Sequence, residues 1–183
     1  MEVKGIAIAP MREYVQSKFG SRYEEWIKSL SEESRKIVAN PLASKWYPLQ
    51  PALIEPTKKI CALFHANDEE GAWQVGRFSA DHALKGIYSI FVKLGSPGFI
   101  ISRGSRIIAQ YYNPSEIKIA ENQAKRVVMQ ITQFGEPNSL IEKRIGGWME
   151  RALEMSGQSI KTAKITQSMA KGDKITEYLV EWN

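Results

Sequence analysis

Cysteine is nearly absent from this chain. Cys61 is its one thiol, so no internal disulfide can form, and a reducing compartment is the expectation. Histidine is almost as scarce, with His65 and His82 alone. A structural zinc site takes four ligands and a catalytic one three. Cys61 and His65, at i and i+4, supply two, and no second cluster supplies the rest, so no metal site is expected. No apolar run approaches the roughly 18 residues that a membrane span needs, and the N-terminal apolar stretch is far shorter than a signal segment. The expectation is a cytoplasmic protein with no membrane span.

Catalytic motifs are lacking too. There is no Gly-x-Ser-x-Gly and no Cys–His pair with an orienting third group. Glu32-Glu33 and Glu69-Glu70 sit at helix starts, where the helix dipole favours negative charge without any acid–base role. Neither Gly95-Ser96-Pro97-Gly98 nor Gly146-Gly147 is a phosphate loop; the first reads as a helix cap, the second as a site of close helix packing. The net charge is +5 over 183 residues. Yet basic residues never run longer than two, as in Lys58-Lys59 and Lys143-Arg144, which describes a solvated mixed-charge surface and not a nucleic-acid interface. These absences argue against an enzyme, and no cofactor is called for.

What is present is a single domain, residues 1–183, with ordinary apolar content and no repeats. Val3 to Ala9 reads as a strand, with Pro10 opening a helix that ends at Gly20. A second short helix follows from Ser21, and Ser31 caps a third. Trp46-Tyr47-Pro48 reads as an aromatic loop or the entry to the next helix. A helix over 49–64 is kinked or broken at Pro56. The acidic cap Asn67-Asp68-Glu69-Glu70 opens the longest helix, to about Leu94; Gly76 within it costs stability unless another backbone packs closely. A further helix runs from Pro97 to the Tyr-Tyr-Asn-Pro break at 111–114. Ile117, Ile119, Val127, Met129 and Ile131 alternate as a hairpin. Asn138 or Ser139 caps a helix over 140–156, Gly157 stops it, and strands at 159–168 and 174–182 turn at Gly172-Asp173. Strands grouped after helices give an α+β fold with an N-terminal helical layer on a C-terminal antiparallel sheet.

The apolar and aromatic residues admit two readings. Phe78, Phe91, Ile107, Tyr111 and Trp148, with Tyr88, Tyr112 and Phe134 nearby, are candidates to line a cavity for a small apolar ligand; the same stripes also make a plain core. His82, mid-helix, is the one polar candidate for that site.

Several segments together resemble a known superfamily. They are Lys4-Gly5, Tyr14-Val15 to Phe19-Gly20, Trp46-Tyr47-Pro48, Gly76-Arg77, Gly95 to Phe99, Tyr111 to Pro114, and Gly147 to Glu154 continuing to Lys171-Gly172-Asp173. The pattern is similar to the haem–nitric-oxide/oxygen-binding (H-NOX) domains, the vinyl-reductase-type small-ligand sensors and the Bet-type subunits of the TRAPP tethering complex, and most of all to a bacterial, haem-less branch of that group. The resemblance implies a helical layer enclosing a ligand pocket against an antiparallel sheet. In H-NOX the haem-ligating histidine lies on the helix after the Gly-x-x-x-Phe turn. Here that helix, Phe99 to Gln110, has none, and the Tyr-x-Ser-x-Arg propionate motif is missing around Met129 to Gln133. The cysteines of the vinyl-reductase-type turn are missing from Ser168 to Tyr178. The expectation is therefore a non-catalytic sensory or regulatory domain binding a small apolar ligand without haem. The alternative is a homodimeric interaction or scaffold module with a filled core, for which exposed Trp46 and Tyr47 would be the footprint.

Overall fold

A computed structural model describes residues 1–84 and 97–183. Strand β1 (Glu2–Lys4) is followed by α1 (Gly5–Phe19), α2 (Tyr23–Ser29) and α3 (Glu32–Ala39). Then come β2 (Trp46–Pro48), a π-helical turn (Gln50–Ile54), α4 (Glu55–Phe64) and α5 (Glu70–Ala83). After residues 85–96 the chain continues as α6 (Pro97–Tyr111), β3 (Tyr112–Asn113), β4 (Ser115–Gln123) and β5 (Arg126–Phe134). It closes with α7 (Ser139–Met155), β6 (Ile160–Gln167), a 3-10 turn (Met169–Lys171) and β7 (Thr176–Trp182). The four-stranded sheet runs β4-β5-β7-β6, antiparallel throughout, and a small sheet runs β2-β1-β3. This is the expected α+β arrangement of helices on an antiparallel sheet.

Three local expectations are corrected. The first strand stops at Lys4, because beyond it Ala7, Ile8, Met11, Tyr14 and Val15 are buried at helical spacing. Pro10 therefore sits inside α1 and removes one of its hydrogen bonds. The helix start is secured instead by the following loop: the Gly5 and Ile6 amides donate to the Lys45 and Ala43 carbonyls at 2.9 and 3.1 Å. Trp46-Tyr47-Pro48 is not a loop but β2, paired antiparallel with β1. Nor are its aromatics an exposed footprint: Tyr47 is buried, its hydroxyl accepting from the Leu42 amide at 2.9 Å, and the Lys4 ammonium stands over the half-buried Trp46 ring.

Elsewhere local chemistry and structure agree. The Ser31 and Asn138 side chains accept from the Ser34 and Leu140 amides, capping α3 and α7. Pro56 falls in the first turn of α4, where the π turn gives way to α-helix. The longest predicted helix is seen as α5 to Ala83; its extension to Leu94 lies outside the described residues.

The core centres on α7, buried on several sides from Leu140 to Leu153, between α5 and the sheet. Two glycines set the α5–α7 distance. A Cβ on Gly76 would stand 2.1 Å from the Arg144 carbonyl oxygen, and one on Gly147 would stand 2.1 Å from the Trp73 carbonyl oxygen. Both obstacles are backbone, so neither can yield without moving a helix. Gly147→Ala is expected to lose about 1–3 kcal/mol by overpacking, read as a lower urea midpoint with unchanged slope. Gly20→Ala, where a Cβ meets nothing within 4 Å, is the control and is expected to be neutral or stabilising by up to about 1 kcal/mol.

Candidate functional site

Where α1, α5, α6 and α7 meet, a cavity of about 30 Å³ lies among the described residues. Its walls include Ala7, Ser79, Ile108, Tyr111, Arg144 and Trp148. A space of this size holds about one water-sized particle. Each wall has a local cause. The small residues Gly76, Ser79 and Ala80 line the buried side of α5, and the Ser79 hydroxyl is turned back onto the Val75 carbonyl at 2.8 Å. Tyr111 ends α6 and Tyr112 opens β3. From α7 come Arg144, Ile145 and Trp148.

Arg144 is 4% exposed. Its Nη1 donates to Thr57 Oγ1 and its Nη2 to the Ala7 carbonyl, both at 3.1 Å, and Tyr112 lies beside it. Burial pulls its pKa down from the ordinary arginine value, opposed by Tyr112 and Cys61. Burial also pushes the Tyr112 phenol and the Cys61 thiol up, so both neighbours are neutral near pH 7. Arg144 belongs to the Lys143-Arg144 pair that reads as solvated surface; it is a core residue instead. Ile141, Arg144, Ile145 and Trp148 stand at i, i+3, i+4 and i+7, the spacing of a buried stripe, and that was the signal available.

Of the predicted ligand-site residues, the structure brings Tyr111 and Trp148 to this cavity. Ile107 is half-buried against the core. Phe78 packs edge-on against Tyr14, ring centroids 5.5 Å apart. His82 lies away from the cavity, its Nδ1 3.0 Å from Glu13 Oε2 and its side chain 38% exposed. Phe91 and Tyr88 lie outside the described residues.

The second histidine is also engaged. His65 Nε2 shares a 3.0 Å hydrogen bond with the Tyr14 hydroxyl, and burial lowers its pKa. Among the described residues no group of three or more His, Cys, Asp or Glu side chains could hold a metal ion, and no helix is long and apolar enough to cross a membrane.

A larger, open groove of about 760 Å³ runs between the α5–α7 pair and β6, lined by groups of both signs including Arg77, Lys143, Glu150, Lys164 and Asp173. Two polar networks frame it. Arg77 pairs with Glu150 and, at 2.7 Å, with Glu154, while Arg151 bridges Asp81 and Glu154 at 2.8 and 2.9 Å. The buried Glu142 carboxylate accepts from the Ser168 and Thr176 hydroxyls, each at 2.5 Å, and from the Ala170 amide at 3.1 Å. Glu142 thus ties the β6–β7 connection to α7, a role that nothing in its sequence context announced.

The Tyr14 phenol is pushed up to about 12, first by burial and then by Cys61. A phenol that ionises later in the folded state contributes stability that is full below about pH 10 and is lost as pH rises towards the folded value. The difference in phenolate absorbance between the wild type and Tyr14→Phe is expected to titrate near pH 12. A midpoint near 10 in the folded protein would contradict the buried Tyr14–His65 pairing.

No protein-family model matches the chain, and no curated protein does. Solved structures do. An H-NOX protein from S. oneidensis, in the Fe(II)NO ligation state, matches at 14% identity with a TM-score of 0.74, over 98% of this chain and 99% of its own. The Fe(II) unliganded H-NOX protein from K. algicida matches at 14% identity with a TM-score of 0.68, over 98% and 96%. At this identity the likeness is one of fold: N-terminal helices on a C-terminal antiparallel sheet, along nearly the full length of both chains.

Proposed function

We propose that this chain is a non-catalytic sensory or regulatory domain on an H-NOX-like scaffold that works without haem and takes a small ligand in the space beside Tyr111 and Trp148. The observation that carries the reading is the size of that space. Sites for drug-sized ligands run to about 300–1,000 Å³, and haem is larger than most such ligands, whereas the cavity here is about 30 Å³. The donors do not fit haem either. His65 is engaged by Tyr14, His82 is at the surface with Glu13, and residues 97–111 contain no histidine. The small volume suits a small molecule better than an extended one. A non-catalytic role is supported by the chemistry of the candidate groups. Cys61 is buried with its thiol pushed up, the opposite of an activated nucleophile.

The second reading, a homodimeric or partner-binding scaffold with a filled core, is favoured by the open polar groove and by β6, which lies at the edge of its sheet. Sedimentation separates the two: a concentration-independent monomer removes the homodimer.

Haem titrated into the purified protein is expected to give no stoichiometric, saturable Soret band, and Arg144→Ala, which enlarges the cavity without adding a ligand, is expected to give none either. A sharp band saturating at one haem per chain would overturn the haem-less reading.

A further inference from the structure

We infer that Arg144 anchors a binding site for one small anion, of halide or formate size, in the interior cavity of α5, α6 and α7. The inference rests on the haem-less reading above and names the chemistry of the ligand.

The argument starts from charge. A guanidinium keeps its proton in proteins, and a buried charge is costly unless it is paired. Arg144 is 4% exposed. No carboxylate among the described residues pairs with it; the groups that act on its charge are Tyr112 and Cys61, both protonated near neutral pH. Residues 85–96 contain no Asp or Glu, so that segment cannot supply a carboxylate. The bonds to Thr57 Oγ1 and the Ala7 carbonyl, with a further side-chain hydrogen bond to the Tyr112 phenol, engage the guanidinium but bring no negative charge. Thr57 is committed further, its hydroxyl facing Met11 Sδ at 3.6 Å.

Geometry supplies the space. The cavity that Arg144 lines is about 30 Å³, enough for one water or an anion of similar size and too small for a phosphate ester or a fatty acid. A water there would add a hydrogen-bond partner but leave the charge unmet. An anion would meet the charge, as a charge-assisted acceptor. Access is short, because Ile6 is at once a wall of the cavity and 40% exposed to solvent.

The test is thermal stability of the purified protein at constant ionic strength as sodium chloride or sodium formate replaces sodium gluconate, whose anion is too large for the space. A ligand bound only by the folded state raises Tm with the logarithm of 1 + [L]/Kd, by about 3–6 °C at ten times its Kd. General salt effects act on every variant alike. The rise is expected in the wild type and absent in Ala83→Val, which fills the cavity and keeps the guanidinium, and in Arg144→Met. Should Arg144→Met fail to fold, chloride-35 linewidths decide: wild-type broadening removed by formate and absent in Ala83→Val supports the site. Equal Tm in all three salts, or a chloride effect surviving in Ala83→Val, overturns it. A chain that neither takes up haem nor responds to anions sinks the anion site alone; one that takes up haem sinks both.

Discussion

The rest of the molecule depends on how closely α5 and α7 approach. At Gly76 and Gly147 the two helices meet backbone to backbone, each glycine facing a carbonyl of the other helix. Burial of apolar side chains alone does not bring helices this near; typical axis separations are set by the side chains between them. Removing the Cβ at both crossing points lets the main chains touch, and several features follow. The Trp73 ring lies over Gly146 and points its indole N–H at Glu150, 2.8 Å away. Arg77, one residue past Gly76, meets Glu150 and Glu154 on the facing helix. The Arg144 carbonyl is the group pressed against Gly76, so the same contact sets where its side chain emerges and how little space remains there.

The sheet is joined to this pair through polar bonds as well as apolar burial. Glu142 holds the hydroxyls of Ser168 and Thr176 and the Ala170 amide, while the Tyr178 hydroxyl donates to the Glu142 carbonyl at 3.0 Å. Within two residues of α7, then, a buried acid and a buried base are each held by hydrogen bonds, and among the described residues neither has an ion-pair partner. Both cost desolvation energy.

Much of the C-terminal half was legible in the sequence. Alternation through Ile117–Ile131 gave the hairpin, the Asn138-Ser139 pair the capping region of α7, which the structure assigns to Asn138, and Gly172, at φ 98°, the last turn. The glycines of α5 and α7 could be read as contact points because nothing else justifies glycine inside a helix. The N-terminal errors share one cause. Short segments there take their structure from partners distant in sequence: β2 exists because β1 pairs with it, and α1 tolerates Pro10 because its buried residues hold it regardless. Arg144 and Glu142 were hidden by composition. Charged residues are almost always outside, so Lys143-Arg144 reads as surface unless the helical phase of Ile141, Ile145 and Trp148 is allowed to outweigh residue type. Of the predicted ligand-site residues, Tyr111 and Trp148 reach the cavity, whereas His82 is drawn to the surface by Glu13.

The account proposed is of an H-NOX-like scaffold that works without haem and holds a small anion at the buried Arg144 guanidinium. An anomalous-difference map from crystals grown in sodium bromide addresses that claim most directly, since it locates an anion and displays the interior at once. The account predicts a single buried peak against the Arg144 guanidinium, inside a core otherwise filled by side chains. An interior without that peak, or one opened around the extended density of haem or another large ligand, would contradict it.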